Sequence, residues 1–308
     1  MTIEELNTVV ETGDIDEFIR VCEARQVKAL SKIADTVSSR GGVRLVQLAG
    51  ASSAGKTTTA KRLATQLRVN GVESIHLSTD DYFVGEELNP VGPDGEPDYE
   101  TIECVDMKRL AADVNGLLAG ESVRLRRFDF VKKSGYDAGA ATNLPDGGVV
   151  VLEGIHALNP RLTAEVPDAC KFKIFIEPKT QPEVFGPTRL PSADARLLRR
   201  LVRDNRFRRL NPSATFRMWP NVLAGEEKWI NPFRHLADKE FDSYLCYEVA
   251  VLKFYAGGLV AKAQRELGDT TDILNMIRLL EPVSPVSSDI VPGNSILRET
   301  IGSSQLDY

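Results

Sequence analysis

Cysteine is scarce in this chain, and so is any excess of basic charge. Four cysteines, Cys22, Cys104, Cys170 and Cys246, lie far apart without CxxC spacing or a nearby histidine pair. That argues against a disulfide framework and a structural zinc, and leaves buried free thiols. No apolar run is long enough to span a bilayer, and the start "MTIEELNTVVETGD" is acidic where a signal peptide needs a basic and then an apolar stretch. The expected location is therefore cytoplasmic. With 38 Lys and Arg against 44 Asp and Glu, a net charge of -6, the chain has no basic surplus for nucleic acid or an anionic membrane. Any anion has to be held locally.

Order is present throughout. The 308 residues, 42% hydrophobic and 27% charged, suit a main domain with small attachments and not a disordered or fibrous chain. Residues 1–40 place Ile15, Phe18, Ile19, Cys22, Leu30, Ile33 and Val37 near a helical period behind a possible N-cap, Asp14, and predict a helical segment ended by Gly41 and Gly42. Strands are then expected over 43–50, 74–79, 149–158 and 170–177, and helices over 56–69, 107–118, 194–210, 213–223 and 244–267. Residues 85–98 read as loop. "GGVVVLEGI" and "KFKIFIE" are short, mostly apolar runs consistent with strands buried on both faces, so an α/β fold with a mainly parallel sheet covered by helices on both faces follows. The expected organisation is a helical segment over 1–40, a main domain over 41–281, and an irregular tail over 282–308 packed on it.

"GASSAGKT", beginning at Gly50, fits G-x-x-x-x-G-K-[ST]. Gly50 and Gly55 let the chain turn amides inward around a phosphate, Ser52, Ser53 and Ala54 supply amides, Lys56 reaches the β and γ phosphates, and Thr57 offers a hydroxyl to magnesium. The bland alternative is a glycine turn that only caps a helix. "IHLSTDDYF" sets Asp80 and Asp81 after a strand, and "VVVLEGIHALNP" does the same for Glu153, which places acids at the carboxyl edge of the sheet. Phosphoryl transfer needs a group to take the acceptor's proton, the role expected of Asp80, and a metal partner, the role expected of Glu153 with Thr57 and Asp80. Asp81 is read equally as the cap of a turn.

"DARLLRRLVRDNRFRR" holds seven arginines, of which Arg196, Arg200 and Arg203 share one helical face. They repel one another unless an anion or acids such as Asp194 and Asp204 compensate. The segment reads as a lid over about 186–225 that closes on ATP, against two alternatives: a nucleic-acid-binding helix and a solvated, salt-bridged one.

These residues resemble a known family. "GASSAGKTTTAKRL", "LSTDDYF", "VLEGIHALNPRL" and the arginine segment are similar to the uridine kinase and phosphoribulokinase family of P-loop kinases, and "NSILRETIG" with "GEEKWINPFRHLADKEFDSYLCYEVAVLK" resembles its bacterial uridine kinase-like branch. Longer members of that branch carry an N-terminal threonyl-tRNA-synthetase-like region, so the resemblance implies a short form or a fragment. It implies Thr58 as part of the phosphate loop, Arg200, Arg203 and Arg208 as lid arginines, and Glu100 where uridine kinases hold the ribose hydroxyls with an aspartate. Where those kinases read the base with tyrosine and histidine, this chain has Phe128 and Lys133, and its lid carries Leu210 and Met218 in place of an arginine and a glutamine.

The function expected is ATP- and magnesium-dependent phosphorylation of a small-molecule hydroxyl, with a pyrimidine nucleoside as the first named acceptor. A sugar or polyol acceptor, a catalytically weak ATP-binding regulator and an RNA-associated protein are the competing classes, and a homo-oligomer is left open. Tyr82, Phe83, Phe128 and Phe130 are read as an acceptor wall or as core, with Lys133 beside them. His76 is expected to be structural and His156 is a candidate for lining the site, while His235 has no assigned place.

Overall fold

Alternation of side chains along short buried strands builds the centre of this fold. The computed structural model describes residues 1–92, 95, 97–129, 132–179, 183–185 and 188–307. In chain order the helices are α1 (Ile3–Thr12), α2 (Ile15–Ser39), α3 (Lys56–Val69), α4 (Met107–Leu118), α5 (Ser192–Phe207), α6 (Pro212–Trp229), α7 (Glu248–Leu267), α8 (Thr271–Leu280) and α9 (Arg298–Ile301). The strands are β1 (Leu45–Ala49), β2 (Ser74–Ser78), β3 (Arg126–Asp129), β4 (Ser134–Asp137), β5 (Val149–Glu153), β6 (Lys171–Glu177), β7 (Glu183–Phe185), β8 (Thr188–Arg189) and β9 (Lys239–Asp242).

Five strands pair in the order β2-β5-β1-β6-β9, and every pair is parallel. Val46, Leu48, Val149, Val151, Phe172 and Ile174 face the core under α2, α3, α5 and α7. Leu45, Ala49, Val150, Leu152 and Phe175 face a second core under α4. Burial on both faces is why the runs read as continuous apolar stretches. The register sets Glu153 opposite both Leu48 and Ser78, so the chain leaves β1, β2 and β5 at the same edge.

Several elements differ from expectation. β5 stops at Glu153 instead of continuing to 158, because Gly154 turns the chain against Thr79, so closely that a Cβ there would lie 1.8 Å from Thr79 Oγ1. Ala157 and Leu158 are buried in that turn, which is why the apolar run continues past the strand. The N-terminal segment is two helices, broken at Gly13 with φ 83. Asp14 stands at the start of α2 but caps nothing with its side chain, which accepts from Thr12 Oγ1 at 2.9 Å. α6 runs on to Trp229. The β3–β4 hairpin, β9 and α8 were not expected at all.

The N-terminal helices and the tail share one hydrophobic core with α3, α5 and α7. Arg62 of α3 lies 3.3 Å from Glu23 of α2, and Glu23 Oε1 also accepts from the Tyr247 hydroxyl at 2.7 Å. A two-point buried ion pair joins Arg199 of α5 to Glu248 of α7, through Nε at 3.0 Å and Nη2 at 2.6 Å. Both side chains are almost wholly buried. Removing one partner of such a pair leaves an uncompensated charge in the core, so Glu248→Ala is expected to destabilise the fold by about 3–5 kcal/mol. The midpoint of urea unfolding at pH 7 measures this, and a loss under about 1 kcal/mol contradicts it.

Candidate active site

The loop after β1 has the backbone that its glycines imply. A Cβ on Gly50 would lie 2.3 Å from Ile176 O, so only glycine passes under β6 there. Ser53 and Gly55 are left-handed, with φ 62 and 86, and turn the chain back on itself before α3 begins. The Ala54 amide donates to Ala51 O at 3.1 Å and is committed to the turn. The first amides of α3 have no partner within their own helix and point out of its positive end. Lys56 Nζ lies across the loop and donates to Ala51 O at 3.3 Å.

Beside the loop stand the edge acids. Thr57 Oγ1 donates to Glu153 Oε1 at 3.0 Å. Glu153 is 3% exposed, and burial followed by the charge of Asp80 raises its pKa to about 7. His76 Nε2 lies 3.9 Å from the same carboxylate, but burial, with Lys61 and Arg127 adding to it, holds the imidazole down to about 4 and so neutral. Asp80 sits in a 3-10 turn, Thr79–Tyr82, with its amide donating to Ser78 Oγ at 3.3 Å. Glu100 is covered by α6, where a Cβ on Gly225 would lie 2.4 Å from Glu100 Cβ. Burial raises Glu100 to about 7 against the pull of Arg200 and Lys56, with Asp98 and Asp80 pushing the same way as burial. Asp80 thus acts electrostatically on both Glu100 and Glu153, and Lys56 lies within the field of both.

A divalent cation finds two hard oxygen donors in contact here, the Thr57 hydroxyl and the Glu153 carboxylate. Among the described residues no group of three or more His, Cys, Asp or Glu is arranged to hold a metal alone. So sparse a donor set fits magnesium, which keeps several waters and takes its other ligands from substrate phosphates.

The arginine helix α5 is docked on the phosphate loop. Arg200 Nη1 donates to Ser52 Oγ at 2.8 Å, Arg196 Nη1 to Ser52 O at 3.4 Å and Arg199 Nη1 to Ser53 O at 3.3 Å. The expected counter-charge is Asp204, fully buried and paired with Arg200 at 3.2 Å, Arg203 at 2.8 Å and Arg208 at 3.5 Å. Asp194 does not share that role: burial and the charge of Asp272 raise it to about 6. Arg208, half exposed, feels the charge of Asp80 across the site.

Other expected residues are placed differently. Asp81 pairs with Arg127 and accepts from the Phe128 amide at 3.4 Å, which makes it the anchor of the β3–β4 hairpin. Tyr82, read as an acceptor wall or as core, is completely buried with its hydroxyl donating to Asp113 Oδ2 at 2.9 Å, so it is a core residue and not part of the acceptor wall. Lys133 turns outward at the hairpin and pairs with Glu86. Phe128 meets Phe83 edge to face at 5.7 Å, and Phe83 meets Tyr99 at 5.8 Å, an aromatic group adjoining Glu100 in the chain. His156 is 1% exposed against the backbone of Glu100, Thr101 and Trp229. Phe130, and residues 186 and 187 at the start of the expected lid, lie outside the described residues. Sequence reasoning missed Glu226, 2.6 Å from Arg196, and Glu248, because nothing in a run of arginines says which distant acids meet it.

The state of Glu100 has a measurable consequence. Its folded pKa of about 7 lies above the 4.5 of a free glutamate, so between these values the unfolded chain gives up a proton that the folded chain keeps. Stability therefore falls as pH rises through that window. Glu100→Gln is expected to stabilise the protein at pH 8 by about 1–3 kcal/mol and to change little near pH 4. Thermal unfolding at the two pH values measures the difference, and an equal effect at both would contradict the assignment.

The family model of the phosphoribulokinase / uridine kinase family matches residues 45–250. A uridine kinase of Deinococcus deserti is 29% identical over 195 residues, which are 63% of this chain and 84% of that protein. A uridine kinase of Halobacterium salinarum is 26% identical over 198 residues, 63% of this chain and 77% of that one. A solved structure from Silicibacter sp. TM1040, provisionally designated a fructose transport system kinase, aligns with a TM-score of 0.53 and 24% identity over 68% of this chain and 98% of its own, a likeness of fold. The phosphate loop, the edge acids and the arginine helix all fall inside the matched span, and the chain belongs to the phosphoribulokinase / uridine kinase family of P-loop small-molecule kinases.

Proposed function

We propose that this kinase uses ATP and magnesium to phosphorylate a hydroxyl of a small molecule, with the primary hydroxyl of a pyrimidine nucleoside as the first candidate. The observation that carries this reading is the joining of Thr57 to Glu153 at 3.0 Å, with the charge of Asp80 acting on the same carboxylate. Loop, metal donors and proton acceptor then stand at one edge of the sheet, where ligands of open α/β folds collect.

In this reading Asp80 accepts the proton of the attacking hydroxyl. Lys56 swings from Ala51 O onto the β and γ phosphates, and the first amides of α3 hold the anion. Arg200, Arg203 and Arg208 stabilise charge on the group in transfer, in a site that the docking of Arg196, Arg199 and Arg200 on the loop keeps preorganised. Magnesium, when bound by Thr57 and Glu153, neutralises phosphate charge and orients the transferring group. Glu100, half-buried within the field of Asp80 and Arg200, supplies a carboxylate for the acceptor's other hydroxyls.

A sugar or polyol is the second reading, favoured by one observation. Hydroxyl-reading groups are present, and Glu100 Oε2 has no hydrogen-bond partner among the described residues. Base-reading groups are thin, since Phe128 offers no hydrogen bond to a base and Lys133 pairs with Glu86. A site lacking the groups that read a base forfeits large discrimination.

A screen of nucleosides, sugars and polyols with ATP, followed by ADP release against a control without acceptor, tests both readings. Asp80→Asn is expected to lower turnover on the accepted substrate by about two to four powers of ten while ATP affinity stays nearly unchanged. Full activity in that variant removes Asp80 from the mechanism.

A further inference from the structure

The C-terminal segment rests on the phosphate loop, a contact outside the family match, which ends at residue 250. Thr58 Oγ1, in the first turn of α3, donates to Glu299 Oε2 at 2.8 Å across 241 residues of sequence. Gly55 faces Ile296 so closely that a Cβ would lie 3.0 Å from Ile296 Cδ1. A small cavity opens at this seam, lined by Ser53, Gly55, Arg199, Arg203, Ile296, Glu299 and Thr300.

The segment is a fixed wall. Arg298 donates to Ser288 O at 3.0 Å, Pro292 O at 3.3 Å and Gly302 O at 3.2 Å, and to Val291 O as well. Ser295 Oγ lies 3.2 Å from the Tyr247 hydroxyl, which itself is tied to Glu23 of α2. These bonds hold the backbone on either side of Glu299 and leave its side chain half-buried at the seam.

Glu153 and Asp80 mark the end of the site where the phosphoryl group is transferred, so the nucleoside of the donor leaves the loop on another side. None of the acids Asp80, Glu100 and Glu153 lines the seam, whereas Gly55 and Ser53 of the loop do. A carboxylate is an acceptor with two oxygens, the chemistry that reads a pair of ribose hydroxyls. Its charge is partly offset here, because Lys61 and Arg199 both feel it.

We propose that Glu299 reads the ribose of the phosphoryl donor: with a triphosphate in the loop, the Thr58 hydroxyl turns to the α-phosphate and the Glu299 carboxylate accepts hydrogen bonds from the 2′- and 3′-hydroxyls. The inference rests on the reading of the chain as an ATP-dependent kinase. It makes the tail part of the donor site and makes a ribonucleotide the preferred donor.

Calorimetric titration of the full chain with the magnesium complexes of ATP, 2′-deoxy-ATP and 3′-deoxy-ATP tests it. The parent is expected to bind ATP about tenfold more tightly than either deoxy form, the scale of one hydrogen bond to a charged group. In Glu299→Ala the three affinities converge to within about twofold, through weakening of ATP alone. Glu299→Gln, which keeps the shape and loses the charge, falls between, and it carries the comparison if thermal unfolding shows the alanine variant to be misfolded. Discrimination that survives in both variants, or is missing in the parent, overturns the proposal. So does an equal tightening of all three nucleotides in Glu299→Ala, which would make the carboxylate a competitor of the α-phosphate. Failure of the parent to bind any of the three overturns the ATP-dependent reading itself, and is distinct from binding without discrimination.

Discussion

Negative charge crowded at one edge of a parallel sheet is the constraint around which this site is built. Asp80, Glu100 and Glu153 come from three separate segments, and Asp80 raises the pKa of both the others. Asp80 and Glu153 cannot move apart, because the register that pins Ser78 and Leu48 opposite Glu153 also fixes where β2 and β5 release the chain. Gly154 tightens the arrangement by letting the turn after β5 touch Thr79, the residue before Asp80. Burial and mutual repulsion then keep part of the charge protonated near neutrality, in a place where one ammonium, Lys56, is close enough to act on Glu100 and Glu153. Such a site gains most from the arrival of further cations, which is the electrostatic requirement of a metal-bound triphosphate.

The arginine helix poses the converse problem. Arg200, Arg203 and Arg208 converge on one buried acid, Asp204, so one carboxylate is shared by three cations and the cluster keeps a positive surplus. Arg199 is different in kind, since Glu248 of α7 neutralises it in the core and its hydrogen bonds to Ser243 O and Ser53 O tie α5 to the segment after β9 and to the phosphate loop. A surplus of positive charge is thereby held against a loop that receives anions, by an anchor that does not itself carry the surplus. Arg196 belongs with the anchor, because Glu226 of α6 takes its charge.

What the sequence made legible follows from how local each constraint is. The phosphate loop could be read because its signature lies within eight residues, with a left-handed turn at Gly55 that is a local backbone need, even though the passage under Ile176 that requires glycine at Gly50 is set by a distant strand. The edge acids were legible because each follows an apolar run that ends at the sheet's rim. Tyr82 was legible only as a choice between acceptor wall and core, and the structure takes the second, because in a 3-10 turn neighbouring side chains point apart and a residue two places from Asp80 goes into the core towards Asp113. β9 and the β3–β4 hairpin escaped notice because their strands, "KEFD", "RRFD" and "SGYD", carry little apolar pattern, as an edge strand or a two-stranded hairpin can. The partners of the arginines were beyond reach because Glu226 and Glu248 lie 30 and 49 residues away from them.

The attachments at the two ends of the chain bear on the same helix. Arg62 of α3 is held by Glu23 and by Gln26, whose Oε1 accepts at 3.0 Å, while Thr58 one turn earlier on the edge of the loop is held by Glu299. Tyr247 joins the two attachments, bonding Glu23 of α2 and Ser295 of the tail through one hydroxyl. The helix whose N-terminus must hold a phosphate is thus fixed from both sides by segments outside the sheet. Arg200 and Lys56 already rest on loop oxygens, Ser52 Oγ and Ala51 O, so in the proposed reading an incoming phosphate exchanges one oxygen acceptor for another by side-chain rotation. That lowers the reorganisation needed at the moment of binding, and it gives the helices and tail beyond the sheet a physical role in keeping the loop ready.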